Sequence, residues 1–215
     1  MKSILLIGMG KFGQILGSRL QSMGNQVMIV DKNEENINQL AQKFSDAIIT
    51  DCVNEDNLRA LDIPSFDVCI VAIGDNFQSS LEITSILKEL GAKWVIAKAT
   101  TEIQKKFLLR NGADEVIYPD RDLAEKLAIK INSSKVFDYI ELSDDYSIFE
   151  IAVPQHWSGK KLKDIDPRKK YGLNLLTIKR GKSIFADIDG EYIFTPDDHM
   201  LVFGMTEKIL YFVNK

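Results

Sequence analysis

Through the first half of the chain, short apolar runs alternate with stretches of helical periodicity. Strand-like runs fall at residues 3–7, 27–30, 47–50, 68–73, 94–97 and 115–117. Several are apolar without interruption, as parallel strands covered on both faces are. Between the first two, Phe12, Ile15, Leu16, Leu20 and Met23 recur at helical spacing, and the stretch stops at Gly24-Asn25, which suits a left-handed cap. Residues 34–44, 54–61, 77–90 and 102–110 continue the helical series. The segments at 34–44 and 54–61 open with acidic residues, where the helix dipole favours them. Such alternation predicts an α/β fold, a Rossmann-like doubly wound parallel sheet.

After Pro119 the rhythm changes. Residues 122–131 read as a helix with no parallel strand to follow, a linker or a dimerisation element, and Asn132-Ser133-Ser134 marks a break. The remainder carries short β-type runs at 137–142, 147–153, 173–178, 183–186, 192–194 and 199–203, with turns at Gly181, Gly190 and Pro196-Asp197-Asp198. Two domains are therefore expected: a nucleotide-binding domain over 1–134 and a small α+β domain over 135–215. The second is small enough for dimerisation to support it.

Composition narrows the function classes. The 215 residues are 45% hydrophobic and 27% charged, ordinary for a globular chain, and the formal net charge of -4 offers no overall basic field to attract nucleic acid. The apolar run at the N-terminus stops at a glycine cluster, well short of a secretory core, and no segment approaches the roughly 20 apolar residues of a membrane span. Cys52 and Cys69 have neither CxxC nor Cys/His spacing and read as buried free thiols, which fits a reducing cytoplasm.

The chemistry concentrates at Gly8-Met9-Gly10-Lys11-Phe12-Gly13, directly after the first strand and opening the first helix. Gly8 permits a tight turn, Gly10 lets a phosphate approach the backbone, and Gly13 lets helix and strand pack closely. The helix N-terminus offers free N–H groups to the phosphates. Asp31, at the end of the second strand, sits where a carboxylate accepts bonds from ribose hydroxyls and repels a 2′-phosphate. Lys32 follows it. Lys11 reads either as a phosphate contact or as a surface lysine. Asp51 and Cys52 close the third strand, Ala72-Ile73-Gly74 the fourth and Lys98 the fifth, all at carboxyl ends of strands, where ligands of open α/β sheets lie. No catalytic residue is evident. His156 and His199 both fall in the second domain, and no nucleophile elbow, Walker loop or metalloprotease motif is present. A nucleotide site without an evident reaction points to sensing. The rival readings are an NAD-linked oxidoreductase and a redox-sensing NAD(H)-binding regulator.

The glycine loop with its basic residue, the Val30-Asp31 strand end, Val-Ala-Ile-Gly-Asp-Asn at 71–76 and Asn-Gly-Ala-Asp-Glu-Val-Ile-Tyr-Pro at 111–119 together resemble the RCK domain, with its TrkA-N and TrkA-C parts. That family supplies cytosolic regulatory subunits of Ktr- and Trk-type potassium uptake systems. The resemblance covers essentially the whole chain. It implies that the first domain binds ATP, ADP or NAD(H). It also implies dimers assembled into an octameric ring, peripheral to the inner face of the membrane beneath a potassium-translocating subunit that the ring gates. Lys11 stands where Ktr-type subunits often have arginine; it keeps the charge but loses the bidentate fork. Asp120 matches an acidic position that in this family helps hold a divalent cation (Mg or Ca) near the phosphates; a solvated loop carboxylate is the other reading. Asp166, Arg168, Asn174, Leu175 and Leu176 are similar to the pattern by which some RCK C-terminal domains bind cyclic di-AMP. There the alternative is a turn-stabilising pair of Asp166 and Arg168.

Overall fold

A computed structural model describes residues 1–44, 46–143 and 145–215. Packing divides the chain into two compact units, Met1–Arg121 and Asp122–Lys215.

In the first unit, strands β1 (Ser3–Ile7), β2 (Gln26–Asp31), β3 (Asp46–Ile49), β4 (Val68–Val71), β5 (Val95–Lys98) and β6 (Glu115–Ile117) form one parallel sheet in the order β3-β2-β1-β4-β5-β6. The apolar runs are continuous because alternate side chains serve different cores. Leu5, Ile7, Val30, Cys69 and Val71 join one core, and Ile4, Leu6, Val27, Ile29 and Ile70 join the other. Helices α1 (Lys11–Ser22) and α2 (Glu34–Leu40) cover the second face, through Phe12, Leu16, Leu20, Ile37 and Leu40. On the first face, α3 (Glu55–Arg59), α4 (Phe77–Glu89) and α5 (Glu102–Arg110) contribute Leu58, Ile83, Leu87 and Leu108. This is the expected doubly wound fold. Helix α2 stops at Leu40, short of the expected residue 44. Helix α6 (Pro119–Asn132) begins three residues before the division between units and runs into the second.

The second unit is a five-stranded antiparallel sheet. Strands β7 (Val136–Glu141), β8 (Tyr146–Ala152), β9 (Asn174–Arg180), β10 (Ser183–Phe185) and β11 (Asp198–Met205) lie in the order β10-β9-β11-β8-β7. The last of these in sequence, β11, is the central strand. Period-two alternation sends Met200 and Val202 of β11 and Phe149 and Ile151 of β8 into the core, where Trp157 and Phe194 complete an aromatic cluster. Short helices α7 (Leu162–Ile165) and α8 (Pro167–Tyr171) precede β9, and α9 (Thr206–Val213) buries Ile209 and Val213.

Two expectations for this unit differ from the structure. Residues 192–194 do not form a strand; Ile193 makes only an isolated bridge with Lys161. Their apolar pattern comes from burial of Phe194 against Trp157 and from the Tyr192 ring packing edge-on against Phe194. Helices α7, α8 and α9 were not anticipated from the pattern.

Candidate functional site

At the carboxyl ends of β1 and β4, where the strand order reverses, neighbouring chain segments leave in opposite directions and open a crevice. Here a cavity of about 630 Å³ is lined by Gly8, Gly10, Lys11, Phe12, Asp31, Lys32, Asp51, Cys52, Ala72, Ile73, Gly74 and Lys98, all expected from the sequence. Gly13 and Met9 do not line it. Met9 is wholly buried in the core beside α1 and contributes through its backbone.

The loop geometry follows from the glycines. Gly8 has φ of +96°, a backbone that a side chain strains. At Gly13 a Cβ would lie 2.1 Å from the Gly8 carbonyl oxygen, so the helix start and the loop touch backbone to backbone. Gly10 differs: a Cβ there would meet nothing within 4 Å, because the position faces the cavity. Helices α2, α3, α4 and α5 each receive a side-chain cap, from Asn33, Asn54, Asn76 and Thr101. Helix α1 has Gly10 as its N-cap and receives none, so its first-turn N–H groups have no side-chain acceptor. Open space at Gly10 and uncapped donors beside it fit a phosphate group.

Asp31 ties the loop to β2. Its Oδ2 accepts the Met9 N–H at 2.6 Å and Asn36 Nδ2 at 3.1 Å, while Oδ1 accepts the Asn33 N–H at 2.8 Å. Of the roughly four acceptor positions of a carboxylate, three are in use, which leaves about one for a ribose hydroxyl. A second becomes available if Asn36 turns away.

Cys52 forms part of the wall. Burial, and then the nearby Asp51 and Asp31 carboxylates, push its thiol up to about 12, so it stays neutral near neutral pH and packs as an apolar group.

The polar residues Asn33, Asn36, Thr50, Asn76, Ser79 and Thr100 also line the cavity. Sequence reasoning missed them; the helix caps Asn33 and Asn76 were legible as cap-type residues but not as wall. Asp120 is not brought to the cavity. It is exposed at the second position of α6. Among the described residues no group of three or more His, Cys, Asp or Glu side chains gathers, so these residues do not by themselves fit a divalent cation.

In the second unit a groove of about 290 Å³ is lined by Leu162, Lys163, Asp166, Pro167, Arg168, Leu173, Asn174 and Leu175. Asp166 has φ of +48°, a left-handed conformation rare for a residue with a side chain, and it both ends α7 and caps α8 by accepting the Lys169 N–H at 3.3 Å. The bend places Arg168 beside Asn174, whose Nδ2 donates to the Phe203 carbonyl at 3.3 Å. Leu176 lies outside the groove and is 48% exposed. The Asp166 carboxylate thus caps a helix; no ion pair with Arg168 is formed among the described residues.

Residues 4–119 match the family model of the TrkA-N domain, and residues 146–215 match that of the TrkA-C domain. Over 208 residues the chain is 38% identical to the Ktr system potassium uptake protein C of Bacillus subtilis (strain 168), covering 97% of this chain and 94% of that protein. Identity to the Ktr system potassium uptake protein A of the same organism is 36% over 214 residues, covering 100% and 96%. The solved structure of the GsuK channel bound to NAD shares the fold, with a TM-score of 0.72 at 16% identity; all of this chain matches 39% of that one. Among the described residues no helix is long and apolar enough to cross a membrane.

Proposed function

We propose, from the premise that this chain belongs to the TrkA-N/TrkA-C family of Ktr system potassium uptake proteins, that it is a non-enzymatic regulatory subunit whose adenine-nucleotide occupancy gates a potassium-translocating membrane partner. Residues 1–134 carry the nucleotide site and residues 135–215 carry self-association and a second ligand. The observation that carries this reading is the Asp31–Met9 hydrogen bond, which fixes the glycine loop against the strand-end carboxylate at the mouth of the cavity. The ligand is ATP, ADP or NAD(H), with the ribose at Asp31 and the phosphates at Gly10 and the uncapped start of α1. Gating follows only if two such ligands favour different assemblies by unequal free energies, for example within an octameric ring of this subunit. The protein then works in the cytoplasm, at the inner face of the membrane that holds its partner.

Calorimetric titration with ATP, ADP, NADH and NAD tests the first site. Asp31→Ala is expected to weaken nucleotide binding about tenfold or more, since a hydrogen bond to a charged group contributes roughly 1.5–3 kcal/mol. Unchanged affinity refutes the ribose contact. Turnover of NAD(H) with any substrate would favour a dehydrogenase instead.

For the second site the ligand is cyclic di-AMP, with Arg168 on a phosphate, Asn174 on phosphate or base, and Leu175 against a base face. Arg168→Ala is expected to weaken cyclic di-AMP binding at least about tenfold while leaving ATP affinity unchanged. Equal loss of both ligands would mean that the groove is not a separate site.

A further inference from the structure

Lys98 stands at the carboxyl end of β5, yet its side chain does not follow its own strand outward to solvent. It crosses the end of β4 at Gly74 and reaches α1. The ammonium lies 5.5 Å from the centre of the Phe12 ring, within cation–π range. At Gly74 a Cβ would stand 3.1 Å from Nζ and 3.7 Å from Cε, so an added methyl would make the ammonium shift by a few tenths of an ångström. Gly74 is not in the left-handed region, and its backbone alone does not require glycine. Lys98 is half-buried and forms no ion pair with a carboxylate among the described residues. Its ammonium therefore faces the cavity with an aromatic face as its partner, beside the uncapped N-terminus of α1.

A partly desolvated cation without a counter-ion is a costly arrangement unless an anion arrives. Two residues define its place: Phe12 attracts the ammonium, and Gly74 leaves room for Nζ and Cε. We propose that Phe12 and Gly74 are positioning residues that aim Lys98 at the phosphate beyond the first, and that they thereby set how strongly the site prefers nucleoside di- and triphosphates over the monophosphate. This rests on the nucleotide reading of the cavity.

With the ribose held at Asp31 and the first phosphate at the glycine loop, a monophosphate leaves Lys98 unanswered. A diphosphate or triphosphate supplies a charge-assisted partner. A methyl at Gly74 displaces the flexible end of Lys98, not the backbone. Phe12→Leu keeps apolar bulk against the core but removes the ring face.

The test is calorimetry with AMP, ADP and ATP on the full chain, for the parent, Gly74→Ala, Phe12→Leu, Lys98→Met and the double variant Phe12→Leu/Lys98→Met. In the parent, ADP and ATP are expected to bind at least about tenfold more tightly than AMP, as one charge-assisted bond predicts. Gly74→Ala and Phe12→Leu are each expected to lower ATP and ADP affinity by a larger factor than AMP affinity, and so to reduce that ratio, and the double variant is expected to match the ratio of Lys98→Met. Equal losses for AMP and ATP would mean a merely structural role and overturn the proposal, as would an unchanged ratio. A parent that binds none of the three would instead sink the nucleotide reading, and this inference with it.

Discussion

Gly13→Ala is expected to lower the stability of the first unit by about 3 kcal/mol and to abolish nucleotide binding, whereas Gly10→Ala in the same loop is expected to spare the fold and lose only the ligand. The added Cβ at Gly13 would stand 2.1 Å from the Gly8 carbonyl oxygen, a contact with backbone that no rotamer change relieves. Relief requires α1 to move away from β1, which disturbs the packing of Leu16 and Leu20 against the core. Overpacking of this kind costs about 1–3 kcal/mol, and the upper end applies where backbone opposes backbone. In a unit of this size, about 3 kcal/mol lowers the melting temperature by about 10 °C or more. At Gly10 the same methyl meets nothing within 4 Å and points into the cavity. Its effect on the helix start is within about 1 kcal/mol. Thermal unfolding and ATP titration of both variants check the pair. Loss of stability at Gly10, or tolerance at Gly13, would contradict the assignment of roles.

The second large effect is expected at Asp198, which is fully buried in the second unit. Its Oδ1 accepts Arg180 Nε at 2.8 Å, and its Oδ2 accepts the Tyr192 hydroxyl at 2.9 Å and the Thr195 N–H at 2.8 Å. Asp198→Ala strands the Tyr192 and Thr195 donors, at about 1–3 kcal/mol for each donor left unsatisfied. A loss of about 3 kcal/mol is expected. Burial alone would raise the Asp198 pKa, but the bonds from Arg180, Thr195 and Tyr192 outweigh it and hold the carboxyl below its usual range. Glu150, bonded to His199 and Lys179, is likewise lowered against the opposing effect of burial. A lowered folded pKa means that the stabilisation is complete above the unfolded values near 4 and is lost as pH falls through the folded ones. Through these two carboxylates the second unit should weaken in acid, and Asp198→Asn should flatten that acid limb. Trp157, 1% exposed in this unit, reports the unfolding; Trp94→Phe removes the other tryptophan. An Asp198→Asn protein with an unchanged acid limb would exclude Asp198 as its source.

The first unit was legible because its signals are local. Uninterrupted apolar runs identify strands buried on both faces, and Gly8, Gly13 and Asp31 occur at the spacing a strand–loop–helix crevice needs. The second unit was less so. Tyr192 and Phe194 alternate as a strand does, yet their backbone bonds go to the 160–162 segment, with Leu162 N–H on the Tyr192 carbonyl and Phe194 N–H on the Lys160 carbonyl. Helix α9 directly follows β11, so its apolar residues read as more of the same run. Within the cavity, Asn36, Ser79 and Thr100 come together only when the first turns of α2 and α4 and the loop after β5 converge, and nothing near each residue announces it. The path of Lys98 over Gly74 depends in the same way on the order of β4 and β5 in the sheet.

The central position of β11 has a consequence for how the chain is made. On the ribosome, β7 and β8 emerge early and β9 and β10 later, each pair able to form a hairpin. Strands β8 and β9 both wait for β11, which pairs with each and is translated after them all. Until residues 198–205 appear, the two hairpins expose unpaired edges and one unfilled apolar face, the condition under which nascent chains associate wrongly. The first unit is complete in sequence by then. A ligand in its cavity would meet the nascent chain as a folded receptor joined to an unfinished sheet.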